Sequence, residues 1–236
     1  MLATVQRIDD ASAGQILSER TIIIGNLLVF IPVVLVFAGL GIAAAAAHWG
    51  IDEDGNQEWV DRIPALLFIA LGLTLAGVSA YWGLRNTTKV GNWYVHRIAK
   101  KVICARSDRI VDPDDPDAIF VEIVPRRNWD RLMLETATDI GFMVFDESSR
   151  SILFEGDRER LRVPVESIEV CDVERVMVGG NAPGAIEHYM TIIDVEFERG
   201  MREIPFAYRG DFGSLGAATR ERRARDFRDR IRDMMR

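Results

Sequence analysis

Apolar and polar positions alternate on two very different scales along this chain. Between Thr21 and Gly50, and again between Ile63 and Leu84, there is no Asp, Glu, Lys or Arg. Each run meets the requirement of about 20 apolar residues for an α-helix to cross roughly 30 Å of hydrocarbon. The pattern therefore predicts two transmembrane helices within 21–84, preceded by an N-terminal segment, 1–20. The connector 51–62 carries Asp52, Glu53, Asp54, Glu58 and Asp61 against Arg62 alone. Small residues recur at every fourth position, Gly39, Ala43 and Ala47 on the first run and Gly72, Ala76 and Ala80 on the second. Such faces let two helix backbones approach closely in lipid. The competing reading of the first run is a cleaved signal sequence, but a signal h-region spans only about 7–15 residues and follows a basic segment. Here Arg7 and Arg20 are offset by Asp9, Asp10 and Glu19.

Beyond residue 84 the period shortens. A basic stretch leads to Asp112-Pro113-Asp114-Asp115-Pro116-Asp117, a turn-rich break, so 85–117 reads as a juxtamembrane linker, with a partly helical form of its basic stretch left open. Short strands are predicted at Ala118–Val124, Arg131–Glu135, Gly141–Phe145, Ser151–Glu155, Arg160–Val165, Ile168–Met177, Thr191–Glu198 and Met201–Ala207. The clearest period of two is Ile193, Val195 and Phe197 against Asp194, Glu196 and Glu198. Polar residues 146–150 and Arg199-Gly200 are the hairpin turns. From Ser214, a plausible N-cap, the pattern becomes helical. Phe227, Ile231 and Met234 or Met235 form one apolar stripe. The fold class is α+β: a two-helix transmembrane hairpin, then a domain over 118–236 of about seven strands closed by a C-terminal amphipathic helix.

That order, with Gly141–Asp146, Phe154-Glu155-Gly156-Asp157 and Leu161–Pro164 as middle hairpins, resembles the bacterial membrane-anchored pleckstrin-homology-like (PH-like) domain proteins. The resemblance covers 21–236 by architecture and 118–236 by strand order. It implies a strongly bent seven-stranded sandwich or barrel capped by the last helix. It also implies that basic residues of the first hairpin loop, here Arg126, Arg127 and Arg131, are candidates to bind anionic lipid headgroups through bidentate phosphate contacts.

Composition adds orientation. An overall net charge of −7, with 28% charged residues, describes an ordinary soluble protein and hides a sharp segregation. Residues 85–111 hold 7 basic and 1 acidic groups, whereas 112–219 hold 11 basic and 23 acidic ones. Lys and Arg close to membrane ends stay on the cytoplasmic side. The expectation is an integral inner-membrane protein with its N-terminus and C-terminal domain cytoplasmic. Trp49, Trp59, Tyr81, Trp82, Trp93 and Tyr94 cluster at the predicted ends, where amphipathic rings favour headgroups.

The chemistry-bearing residues are sparse. His48, His96 and His188 are scattered, and no Ser sits in a Gly-x-Ser-x-Gly turn. Cys104 and Cys171 have no metal-ligand spacing. Gly39-x-Gly41-x-x-Ala44 lies inside an apolar helix, without the strand a dinucleotide site requires. The loop 179–184 lacks the Lys-Ser/Thr of a phosphate loop. Glu155, Asp157 and Glu159, alternating with Arg158 and Arg160, read as a salt-bridged solvated turn. The tail 220–236 reads as a domain-capping helix, its acids and arginines pairing along the helix. The sequence thus predicts no enzyme, catalytic residue, metal, cofactor or nucleic acid. It predicts a membrane-anchored module that binds an unidentified protein partner or itself. The alternative is a sensor of anionic lipid through Arg126, Arg127 and Arg131.

Overall fold

The computed structural model describes residues 2–8, 14–49, 59–129, 137–178, 186–209 and 217–236. Among these are three α-helices, α1 (Glu19–Trp49), α2 (Trp59–Cys104) and α3 (Ala217–Met235). Eight strands accompany them: β1 (Thr4–Arg7), β2 (Ile119–Ile123), β3 (Asp139–Asp146), β4 (Ser151–Glu155), β5 (Glu159–Pro164), β6 (Ile168–Val178), β7 (Ile186–Phe197) and β8 (Gly200–Tyr208). The chain divides into two compact units, one of Met1–Asn26 with Asn92–Arg236, the other Leu27–Gly91.

The smaller unit consists of the apolar parts of α1 and α2. The windows Phe30–Ala47 and Pro64–Tyr81 have mean hydropathies of 2.4 and 1.8 and are long enough to cross a membrane. The helices touch at a glycine pair. A Cβ on Gly39 would lie 2.6 Å from the Gly72 carbonyl oxygen, and one on Gly72 would lie 2.6 Å from the Gly39 carbonyl oxygen. Ala43, Ala46, Ala76 and Ser79 are buried beside them. The contact follows alternating steps of four and three, so Ala46 and Ser79 stand where Ala47 and Ala80 were expected. A strict four-residue step drifts around a helix of 3.6 residues per turn, which carries Ala80 to the exposed side.

The larger unit is built on one antiparallel sheet in the order β1-β5-β4-β3-β2-β8-β7-β6. From β2 to β5, and again from β6 to β8, neighbours along the chain pair antiparallel, for instance Phe142↔Glu155 through Asp146↔Ser151. The β7–β8 hairpin closes at Phe197↔Gly200, where Gly200 takes φ 108°, a conformation open to glycine at no steric cost. The sheet curls until its β1 end meets β7: Ala3 bridges Phe197, and Arg202 of β8 pairs with Glu159 of β5. Inside lies a core including Met143, Phe154, Ile193 and Ile204, each 0% exposed, onto which α3 lays Phe227 and Ile231.

Seven of the eight expected strands appear with bounds shifted by a few residues. Arg131–Glu135 lies outside the described residues, as does Ser214. β1 was not expected. Its four residues are too short for a readable period, and its partner β5 lies some 150 residues away in sequence. The segment read as a linker, 85–117, begins as the continuation of α2 to Cys104. There Val95, Ala99, Val102 and Ile103 join Ile16, Phe120, Ile140 and Phe142 in a second buried cluster.

Candidate functional site

In the predicted lipid-binding loop, Pro125 leads into a 3₁₀ turn, Arg126–Asn128. Trp129 anchors the turn by donating its indole N–H to the Val124 carbonyl at 2.8 Å. The Arg126 guanidinium is already committed. Its Nε reaches both Glu203 carboxylate oxygens at 2.7 and 2.8 Å, and its terminal nitrogens reach Glu174 at 2.9 and 2.7 Å. It also lies 4.7 Å over the Trp129 ring. Arg127 is exposed, and Arg131 lies outside the described residues. Of the three arginines, the structure brings one together with two carboxylates and leaves one in solvent.

The densest polar constellation lies elsewhere, around the β4–β5 turn. Arg106, two residues past the end of α2, is 1% exposed. It donates from one terminal nitrogen to Glu155 at 2.9 Å and to the Gly156 carbonyl at 2.6 Å, and from the other to the Asp157 carbonyl at 3.3 Å. Glu155, 0% exposed, also accepts the Arg160 Nε–H at 2.8 Å and the Ile110 amide at 3.0 Å. Arg160 extends the chain to Asp108 at 2.5 and 2.7 Å. The Arg160 guanidinium holds the Asp108 carboxyl at about 2, below the usual carboxylate range.

Two further carboxylates complete the knot. Asp157 accepts the amides of Ile16 and Leu17 at 2.5 and 3.0 Å, fixing the entry to α1. Asp139 accepts the amides of Ile140, Asp157, Arg158 and Glu159 at 2.5–3.2 Å. Burial pushes the Asp139 carboxyl up to about 7, against these four donors, which favour its ionised form. The approach depends on Gly156, whose Cβ would lie 2.5 Å from both Asp139 carboxylate oxygens. The expectation of a solvated turn is thus corrected. Glu155, Asp157 and Arg160 are buried, because Arg106, Asp139 and the N-terminal segment close over them. Each of these carboxylates is occupied by donors, so the arrangement ties chain segments together.

His96 and His188 are likewise packed. His96 stacks edge-on against Phe120 and Phe142 with centroids 5.1 and 5.2 Å apart. His188 faces Arg220 at 3.3 Å. Because a guanidinium only donates, His188 Nε2 accepts and the ring is neutral, its proton on Nδ1. Burial, aided by Arg220 and Arg209, lowers its pKa to about 4. Cys104, Asp112 and Asp114 present ligand atoms within 4.8 Å of one another. The Asp114 carboxylate is already paired with the Lys100 ammonium, and burial pushes the Cys104 thiol up, away from the thiolate a metal needs. A shallow cleft is lined by Val121, Tyr189, Thr191, Phe206, Tyr208, Ala224 and Phe227, where Thr191 donates to the Ala224 carbonyl at 3.0 Å and Tyr189 to Glu187 at 2.9 Å.

Sequence reasoning missed Arg106 and Asp139. Neither stands in a local pattern that marks it, and their partners are 49 and 18 residues away. No family model, no curated protein and no solved structure matches the chain.

Proposed function

We propose that this chain is a membrane-anchored, non-enzymatic interaction module. In this reading α1 and α2 form a transmembrane hairpin, and a PH-like domain at the cytoplasmic face binds a protein partner or a second copy. The observation that carries it is the union of both ends of the helix pair in one unit. β1 and the amides of Ile16 and Leu17 precede α1, yet they pair with β5 and Asp157, which follow α2. Two crossings return a chain to the side it left, as this union requires. The outward faces of both helices support the bilayer, with Phe37 69% and Leu67 65% exposed. The basic collar from Arg85 to Lys101 favours the cytoplasmic side. Seven strands in the order β5-β4-β3-β2-β8-β7-β6 with α3 against β7 and β6 support the PH-like reading.

Binding is supported by the open edge of β6. Residues of one strand alternate in presenting their N–H and C=O to either side. The Cys171 carbonyl accepts from the Arg232 guanidinium at 2.7 Å, and the Val173 amide donates to the Asp172 carboxylate at 2.8 Å. Odd-numbered positions therefore face away from β7. Those two are blunted, whereas Arg175 and Met177 keep their outward backbone groups unpaired among the described residues. Met177 is also 45% exposed. Unpaired edges are templates for another strand. The lipid-sensor alternative retains Arg127 and Arg131, its Arg126 being held by Glu174 and Glu203.

Photocrosslinking of the intact protein in inverted membrane vesicles tests the proposal. A photoreactive phenylalanine analogue at position 177 is expected to yield a discrete adduct, with a partner or a second copy. Added protease should remove the domain from inverted but not right-side-out vesicles. Arg175→Pro, which removes an outward N–H without touching the β7 ladder, should abolish the adduct. An adduct-free edge, or a domain protected in inverted vesicles, rejects the reading.

A further inference from the structure

We infer that the occupant of the open β6 edge is a second copy of this chain, its β6 antiparallel to the first across a two-fold axis at Val176. The inference rests on the interaction-module reading above and commits it to a second copy in one register. The open part of the edge is short. At one end the Cys171 carbonyl is held by Arg232 and the Val173 amide by Asp172. At the other end β6 stops at Val178. Between these limits, Arg175 and Met177 are the positions that turn their backbone N–H and C=O away from β7, unpaired among the described residues.

This window is its own complement. Residues that exchange N–H···O=C bonds in an antiparallel pair stand directly opposite each other, so outward positions must meet outward positions. With the axis at Val176, Arg175 stands opposite Met177 of the second copy and Met177 opposite its Arg175, and every outward group finds a partner. The second strand, ending at Val178, then stops opposite Glu174 and never reaches the blunted Val173. An axis at Arg175 would set two arginines face to face and put Met177 against Val173. An axis at Glu174 would set two carboxylates face to face and put both outward residues against Val173 and Cys171. Like charges directly opposite are destabilising. A foreign strand pairing along the whole of β6 would run into Asp172 and Arg232. The side chains agree with the two-fold register. Met177, 45% exposed, is covered by the aliphatic stem of the second copy's Arg175, whose charge Glu187 neutralises. Such a contact is isologous and closes with two copies. Anchoring both in one membrane supplies the effective concentration that so short a ladder requires.

The test is disulfide trapping of the intact protein in membrane vesicles, in a Cys104→Ser/Cys171→Ala background. At the axis, the two copies of residue 176 form a non-hydrogen-bonded pair with Cα atoms about 4.5 Å apart, within the roughly 4.4–6.8 Å that a disulfide spans. Val176→Cys should give a covalent dimer, several-fold more than Glu174→Cys, whose two copies are offset along the strands by about 13 Å. Adding Arg175→Pro should reduce the Val176→Cys dimer to the Glu174→Cys level with the unfolding midpoint unchanged. A dimer from Glu174→Cys alone, or from mixed Glu174→Cys and Val176→Cys copies but not from Val176→Cys, overturns the inference. So does a Val176→Cys dimer that survives Arg175→Pro. No dimer, with a photoadduct at position 177 to a different protein, overturns the inference and leaves the interaction-module reading standing. No dimer and no adduct removes both.

Discussion

At Arg106 a guanidinium with 1% exposure serves Glu155 and two backbone carbonyls at once. Removing one partner of a buried ion pair costs about 3–5 kcal/mol, because the groups left behind are neither paired nor hydrated. Arg106→Met should destabilise the protein by that amount in denaturant titrations of the detergent-solubilised chain. Arg126→Met breaks an exposed pair and should cost under about 1 kcal/mol. Equal losses in the two variants would show that the knot is not specially stabilising. His188 supplies a pH dependence. Its ordinary value of 6.5 is lowered to about 4 in the fold, so between these values the unfolded chain binds the proton and the folded chain does not. Stability from this site is full above pH 6.5 and is lost as pH falls toward 4. His188→Gln keeps an acceptor for Arg220 and should flatten the decline of melting temperature over that window; an unchanged slope would assign it to other groups. The charges of the β4–β5 turn show why residue-scale reading stops short. Glu155, Asp157 and Arg160 alternate as a solvated turn would, and their burial depends on Arg106, 49 residues earlier in the chain.

Elements were more legible than their partners. Strand periods gave β2 to β8 because each hairpin records in its own residues which side faces the core. β1 has four exposed residues and no such record, so its existence depends on the free edge of β5. α2 runs past its apolar portion to Cys104 because Val95, Ala99, Val102 and Ile103 give its last turns an apolar stripe to bury. Between α1 and α2 the glycine contact sets the approach. A side chain at position 72 would meet the Gly39 carbonyl at 2.6 Å and the Ala43 amide at 2.8 Å, both backbone atoms. Gly72→Ile should therefore push the helices apart. Disulfide trapping between cysteines introduced at 43 and 76 should fall sharply in that variant, whereas Gly77→Ile, with nothing within 4 Å of its added carbon, should trap like the parent. Equal trapping in both would remove the glycine pair as the determinant of packing.

For the whole molecule, charge and hydropathy are distributed by segment, and that distribution is local information. Two uncharged runs, an acidic connector, a basic collar and an alternating C-terminal half are all written in the order of residues, since each depends on solvent preference along a single element. The α+β class and the sequence of hairpins followed from it. Tertiary structure alone decided which charges are spent and which are free. Arg126, in the loop named as the alternative anion site, is neutralised by Glu174 and Glu203 from β6 and β8, while Arg97 and Lys101 are left facing outward by the burial of the opposite side of α2. It also decided that the N-terminus joins the domain through β1 and Asp157. The physical reason is the same in each case: hydrophobic periodicity is a property of neighbours in sequence, whereas the partner of a charge or of a strand edge exists only once distant segments have been brought together.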